Sequence, residues 1–285
     1  MQPDDFEFLA RILKERSGLV LTKDKGYLVE NRLMSLVCEK HLKNLGDVVA
    51  ALKTGDQALT AAVVEAMMAK DTGFFRDWKP FQHLQTVVLP NLIAARKTKR
   101  AFRILCAGVS TGQEAYSVAM LLDRYAAALG GWHVEIIGVD LSQAAIASAS
   151  AGLYSQFDVQ RGLPIRSLLK YFEKKEDDAW CVVDTLRTHT MFKTWNLLDD
   201  LYPLGRFEVV LCRNVLPYFD LQTKFGAVQK IARSMTDDGV LYLGFQETLS
   251  GVSNSFKAIH AQQGIYAIHR TDGPAVKSLA VPTKP

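Results

Sequence analysis

Residues 103–120 read RILCAGVSTGQEAYSVAM, and the fold is decided by how that stretch divides. From Arg103 to Ala107 it is a short apolar run, as a buried strand requires. From Gln113 onward its apolar residues are spaced as in an amphipathic helix. Between the two halves, Ala107, Gly108, Ser110, Thr111 and Gly112 make a turn of small residues. In an open α/β sheet a ligand sits outside the carboxyl ends of the strands, where small residues let backbone approach it. The spacing departs from the GxGxxG dinucleotide fingerprint, and the GK[ST] of a phosphate loop is missing. Pyrophosphate and nucleoside triphosphate are therefore disfavoured.

Working outward, FRILCAG, HVEIIGVD, FEVVLCRN and GVLYLG read as strands, alternating with the helical segments EAYSVAMLLDRYAAAL, SQAAIASASAG and TKFGAVQKIARSM. Such alternation predicts a parallel sheet covered on both faces, a three-layer α/β domain over roughly residues 99–270. Residues 171–195, with a charged turn at Lys174 to Asp178, alternate in the manner of a small antiparallel β insertion. Upstream, apolar residues recur at helical spacing from Asp4 to about Ala69, punctuated by Gly18, Asn44 with Gly46, and Thr54 with Gly55. This predicts a separate all-α N-terminal domain over 1–72, then a linker and connecting helix over 73–98, with Lys79 to Lys97 helical. The end, TDGPAVKSLAVPTKP, residues 271–285, is polar and Pro-bearing and reads as a flexible tail.

The 285 residues suffice for two ordinary domains, and 48% apolar with 22% charged residues is the composition of a soluble globular protein. No apolar run has the length of a membrane span. The N-terminus, MQPDDFEFLARILKERSG, lacks the basic start and unbroken apolar run of a secretory signal, so a cytoplasmic location is expected. Cys38, Cys106, Cys181 and Cys212 form no CxxC pair and have no nearby histidine, which predicts reduced thiols and no metal. The six histidines show no ligand spacing either. A net charge of +4, with basic residues dispersed except at Arg96 to Arg103, permits nucleic-acid binding without indicating it.

The second strand ends in Asp140, about 30 residues beyond the turn, where a carboxylate accepts the two hydroxyls of a ribose. A glycine turn without phosphate features, followed by that acid, suits S-adenosylmethionine: an adenosine with a charged amino acid in place of phosphates. A second reading stands beside it, in which Asp140 caps the helix starting at Ser142.

AGVSTGQEAYSVAM resembles the first motif of the chemotaxis-receptor methyltransferase family, CheR, with its typical A-G-x-S-T-G-E-E-P-Y-S. Four further segments follow in the family's order. DTGFFRD (71–77) is similar to N-E-T-x-F-F-R, VDLSQAAIASASAGLY to T-D-I-x, helix, G-x-Y, FEVVLCRNVLPYFD to F-D-x-I-x-C-R-N-V-x-I-Y-F-D, and DDGVLYLGFQETL to G-G-x-L-x-L-G-x-S-E. The resemblance runs from the N-terminal helices to about Arg270. It implies a class I, Rossmann-like methyltransferase sheet and methyl transfer from S-adenosylmethionine to glutamate carboxylates of chemoreceptors, leaving S-adenosylhomocysteine. It further implies a monomer whose partner is the cytoplasmic helical region of chemoreceptors, with neither nucleic acid nor membrane insertion.

Carried over residue by residue, the resemblance puts Thr72 and Arg76 over the methyl donor, with Arg76 binding the donor's carboxylate or orienting the acceptor. Gly108 is the turn, Glu114 takes the donor's ammonium, and Asp140 takes the ribose. Asn196 and Leu197 (WNLLDD) flank the adenine. Arg213 and Asn214 face the donor and acceptor, and Tyr218 presents its hydroxyl near the transferring methyl, so Arg76 and Tyr218 are the expected catalytic residues. A glutamate carboxylate, with a pKa of about 4.3, is ionised at neutral pH, so no general base is required. The missing Ser/His/Asp or Cys/His constellation agrees with that.

Lys70, Asp71, Gly73, Gln113, Ala115 and Pro217 depart from the family's pattern. Three of them, Lys70, Asp71 and Gln113, keep open a second reading as a donor-binding scaffold without turnover. The stretch Asn214-Val-Leu-Pro-Tyr218 raises a methyltransferase of nucleic-acid amino groups, but two extra residues break the compact tetrapeptide that chemistry uses. Some family members bind a receptor C-terminal peptide at a glycine-containing hairpin in the insertion. Here that hairpin is shorter and has no glycine, so independence from such a tether is expected. Arg32, Lys40 and Lys43 make a basic-leaning stretch for the receptor surface.

Overall fold

The computed structural model describes residues 2–69, 71–176, 178–259, 263–270 and 278–281. Four helices come first: α1 (Pro3–Ser17), α2 (Gly26–Glu39), α3 (Leu45–Lys53) and α4 (Gln57–Met67). Pro3, Asp4 and Asp5 open α1 where a missing N–H costs nothing and the helix dipole favours acid, and Gly18, at φ 77°, closes it. Side chains of Asn44 and Asp56 cap α3 and α4 by accepting from the N–H of Asp47 and Leu59. The helices share a core of their own, with Leu9, Leu13, Val29, Leu33, Val48, Val63 and Met67.

The helix expected over 79–97 is found as α5 (Lys79–His83) and α6 (Leu89–Ala95), joined by a π turn over 84–88. Pro90 has no N–H to give to residue 86, which lets the preceding turn widen.

The α/β part contributes β1 (Ala101–Ala107), α7 (Gln113–Asp123), β2 (His133–Asp140) and α8 (Gln143–Ala151), then a small unit of β3 (Leu153–Ser155), α9 (Gln156–Gln160), α10 (Ile165–Tyr171), β4 (Phe172–Lys174) and β5 (Ala179–Val182). After it come α11 (Asp184–Arg187), β6 (Thr190–Thr194), β7 (Phe207–Leu211), α12 (Leu221–Arg233), β8 (Met235–Tyr242), β9 (Phe256–Ala258) and β10 (Ile265–Ile268). The main sheet runs β6-β2-β1-β7-β8-β10-β9, and all pairs from β6 to β8 are parallel. β10 and β9 add antiparallel strands at one edge. Along β1, Ile104 and Cys106 join a core with α7 residues such as Val118, while Leu105 and Ala107 join the opposite core with Val228 and Ile231 of α12. The sheet is thus covered on both faces, as in a class I, Rossmann-like methyltransferase.

From β1 the chain moves to β2 and β6 on one side, then crosses to β7 and β8 on the other. The topological switch point therefore lies between β1 and β7, where an open α/β sheet leaves a crevice.

Two expectations need correction. The antiparallel insertion is not 171–195: its sheet is β3-β5-β4, built from 153–182, whereas Thr190–Thr194 is the edge strand of the main sheet, paired from Ile136↔Thr190 to Asp140↔Thr194. Alternation marks an edge strand without saying which sheet it joins. Here Phe192 decides it by lying over Gly138, whose Cβ would stand 2.7 Å from the ring. The end expected to be flexible is held where it is described. Leu279 and Ala280 are buried, Leu279 N–H donates to the Asp238 carbonyl, and Asn91 Nδ2 donates to the carbonyls of Leu279 and Val281. Residues 271–277 and 282–285 lie outside the described residues, as do Lys70 and Asp177 of the turn at Lys174 to Asp178. Among the described residues, no helix is long and apolar enough to cross a membrane.

Candidate active site

A cavity of about 260 Å³ opens at the switch point, and Thr72, Arg76, Gly108, Glu114, Asp140, Asn196, Leu197, Arg213, Asn214 and Tyr218 all line it. Its floor is the turn after β1. The N–H groups of Gly108 and Val109 both donate to the Val139 carbonyl, at 2.8 and 2.9 Å, which bends the turn over the end of β2. Gly108 sits at φ 72°, and a Cβ there would run into Cγ2 of Val215 in the loop after β7. Glycine is therefore required twice over, by conformation and by space.

Asp140 accepts from Ser110 N–H on Oδ2 at 2.8 Å and from Ser142 N–H on Oδ1 at 2.9 Å. Burial pushes its carboxyl above the ordinary value, and the backbone N–H groups of Ser142, Ser110 and Leu141 work against that. The cap of α8 is Ser142 itself, whose Oγ accepts from Ala145 N–H at 2.9 Å. With one donor on each oxygen, the Asp140 carboxylate retains about two lone-pair positions.

The opposite wall is set by Arg213. Its side chain is 2% exposed, and Nη1 meets Glu114 Oε2 at 2.9 Å while Nη2 meets Asp77 Oδ2 at 2.9 Å and the Arg76 carbonyl at 2.7 Å. The guanidinium also lies over the Phe81 ring at 5.3 Å. Arg213, expected to face the donor and acceptor, lines the cavity and also ties the segment 71–77 to the start of α7. Glu114, expected to take an ammonium, has Oε2 on Arg213; burial pushes its carboxyl up and Arg213 pulls it down. Arg76 sits at the mouth, with Nη1 on the Asp71 carbonyl at 2.8 Å and Nη2 on its carboxylate at 3.1 Å.

Asn214, at φ 61°, donates its N–H to Glu247 Oε2 at 2.8 Å. Buried Glu247 also accepts from the N–H groups of Leu216 and Gly244, so one carboxylate shapes the loops after β7 and β8. Phe75 and Asp77, at φ 49° and 54°, are further left-handed residues without glycine's freedom, and with Asn214 they gather strained backbone at this cleft.

Asn196, expected beside an adenine, lines the cavity with buried Leu197; its Nδ2 donates to the Arg16 carbonyl at the end of α1, at 2.7 Å, and its Oδ1 accepts from Leu198 N–H. Tyr218 is 42% exposed, and its carbonyl accepts from Val20 N–H at 2.9 Å. Arg32, read as receptor-facing, has Nη1 on the Met67 carbonyl at the end of α4.

Several lining residues were beyond sequence reasoning. Ser17, Leu19, Met67 and Met68 come from the helical part; the last three carry only the apolar signal of its core, and Ser17 marks only the end of α1. Glu247 lay inside a matched segment, and its signal was an acid five residues beyond a buried strand. Among the described residues, the buried side-chain polar atoms without a partner are Ser110 Oγ, Trp195 Nε1 and Arg213 Nε, and all three residues line this cavity. Cys106 and Cys212 are buried thiols whose pKa values burial pushes well up, as suits core residues. No group of three or more His, Cys, Asp or Glu arranged to hold a metal occurs among the described residues.

Residues 4–68 match the family described as CheR methyltransferase, all-alpha domain, and residues 70–265 match CheR methyltransferase, SAM binding domain. Chemotaxis protein methyltransferase 1 of Pseudomonas aeruginosa is 36% identical over 264 residues, covering 92% of this chain and 96% of that protein. Chemotaxis protein methyltransferase Cher2 of Pseudomonas putida is 33% identical over 265 residues, covering 92% and 96%. Chemotaxis protein methyltransferase 1 of Vibrio cholerae is 33% identical over 264 residues, covering 92% and 95%. With the sheet, the switch-point cleft and matches along both parts of the chain in agreement, this protein belongs to the CheR methyltransferase family.

Proposed function

We propose that this protein transfers a methyl group from S-adenosylmethionine to glutamate side-chain carboxylates of chemoreceptors, giving glutamyl methyl esters and S-adenosylhomocysteine. The observation that carries the reading is Asp140 at the carboxyl end of β2, held by Ser110 and Ser142 N–H groups with acceptor capacity to spare, beside the glycine turn that Val215 closes. Adenosine with a charged amino-acid end fits these residues. Backbone approaches it at Gly108, Asp140 accepts its ribose hydroxyls, Leu197 covers its base, and Glu114 turns toward its ammonium.

When bound, S-adenosylmethionine supplies a methyl carbon made electrophilic by its sulfonium. The residues of the chain bind, align and exclude water. Arg76, whose part-exposed side chain pairs with Asp71, would exchange that partner to bind the donor's carboxylate or orient the acceptor, with Thr72 also lining the cavity. Tyr218, a lining residue, would present its hydroxyl near the transferring methyl. Arg213 and Asn214 hold the shape of this wall through Glu114, Asp77 and Glu247. We further infer a monomer acting in the cytoplasm on the helical region of receptors without a C-terminal peptide tether, in line with the short β4–β5 turn where Lys174 pairs with Asp178 at 2.8 Å.

Tritium from labelled S-adenosylmethionine should appear in receptor-containing membranes and leave as methanol on mild base. An Arg76→Ala variant should transfer about a hundredfold more slowly, the loss typical of one electrostatic group acting on the transition state. Base-stable label, or none despite S-adenosylhomocysteine binding, would overturn the glutamate reading, and undiminished transfer by Arg76→Ala would remove that residue's role.

A further inference from the structure

Two carboxylates from different parts of the chain meet the N-terminus of α8. Asp140 Oδ1 takes the N–H of Ser142, and Glu65, in the last turn of α4, takes the next one, Gln143 N–H, at 2.9 Å. Glu65 also accepts from Ser142 Oγ, the same hydroxyl that caps α8 through Ala145 N–H. Ser142 is 1% exposed, whereas Gln143 is exposed and Glu65 half-buried, so the hydroxyl is shielded at the inner side of a junction whose outer bond meets water. We propose that Glu65 is a positioning residue for the cofactor site: it pins α4 to the first turn of α8 and thereby fixes Ser142 and the Asp140 carboxylate bonded to it.

Three facts support the assignment. Helix starts need their N–H groups satisfied, and this one is satisfied from another domain although Ser142 alone already caps it. The neighbouring residues of α4 and its exit, Met67 and Met68, line the cavity, so the strut also sets how closely the helical part lies over it. And the two carboxylates take the N–H groups of adjacent residues, Ser142 and Gln143, so the negative charge of Glu65 adds, after burial, to raising the Asp140 carboxyl.

The inference rests on the reading of Asp140 as the ribose acceptor. Its test compares Glu65→Ala and Glu65→Gln with the unaltered protein in S-adenosylhomocysteine titration and steady-state methyl transfer. Glu65→Ala should raise the KM for S-adenosylmethionine about tenfold and leave kcat within about twofold, because the strut acts on binding through Asp140. Glu65→Gln, whose amide oxygen still accepts from Gln143 N–H and whose NH₂ still reaches Ser142 Oγ, should restore most of the affinity. Combined with Asp140→Asn, the Glu65→Ala effect should largely vanish, since coupled residues are not additive. Should Glu65→Ala lose its cooperative melt, Glu65→Asp, one methylene too short for both bonds, carries the same expectation. Unchanged KM in Glu65→Ala, equal losses in KM and kcat, full additivity with Asp140→Asn, or no rescue by Glu65→Gln would each overturn the strut. Failure of the unaltered protein to bind S-adenosylhomocysteine would instead remove the cofactor reading.

Discussion

At the scale of single residues the cleft is governed by carboxylates whose charge is costly to keep. Asp140, Glu114 and Glu247 are all raised by burial first, with N–H or guanidinium donors opposing it. A carboxyl whose native pKa exceeds its unfolded one binds protons more tightly when folded, so these groups subtract stability as pH rises from the ordinary carboxyl value through the raised one. On the proposed reading, ligand binding at Asp140 runs the other way, since ribose hydroxyls would need the ionised acceptor. S-adenosylhomocysteine affinity should therefore hold steady near neutral pH and fall on acidification through the raised Asp140 pKa, at a higher pH than for a free aspartate. Asp140→Asn should bind about a hundredfold more weakly, as two charge-assisted hydrogen bonds are lost, and should lack that acid limb. Calorimetric titration across pH would check both, and an unchanged limb in Asp140→Asn would assign it to another group. Asp140 and Gly108 were legible in the sequence because strand ends and turns carry local signals. The commitments of Arg213 and Asn196 were not, because Asp77 and Arg16, 136 and 180 residues away, are placed only by the fold.

At the scale of elements, Arg213 joins three that never touch in sequence: the 71–77 segment, α7 and the loop after β7. It is a buried cation between Glu114 and Asp77, seated on Phe81, and removing it strands Glu114 beneath the surface. Arg213→Ala should lose about 3–5 kcal/mol in chemical denaturation, the range for breaking a buried pair from one side. A loss below about 1 kcal/mol would mean that Glu114 is held by other groups. The elements themselves were largely legible, because strand and helix periods differ. What escaped was membership. The five residues of β6 alternate as an edge strand should, yet it is long-range contacts, the ladder with β2 and the packing of Phe192 against Gly138 and Tyr116, that assign them to the main sheet.

At the scale of the whole molecule, the cleft belongs to both parts of the chain. The end of α1 and the stretch after it bond to the α/β part through Arg16 with Asn196, Val20 with Tyr218 and, from the last turn of α1, Lys14 with Asp220 at 2.6 Å; Gly18 lies so close to Phe219 that a Cβ would stand 2.8 Å from its ring. Ser17 and Leu19 from this stretch line the cavity together with Tyr218 and Phe219. A ligand seated on Asp140 therefore touches the seam, and its binding free energy is shared by every contact that must open before it leaves. Hydrogen exchange is the appropriate readout, because it reports such local opening residue by residue. S-adenosylhomocysteine should slow exchange at residues 17–20 and 216–219 by a common factor, together with the turn at 108–112. Equal protection at segments about 200 positions apart follows only if they open as one unit with the cleft. Protection confined to 108–112 and 140–143 would mean that the helical part moves independently of the bound ligand, and the shared-cleft argument would then fail.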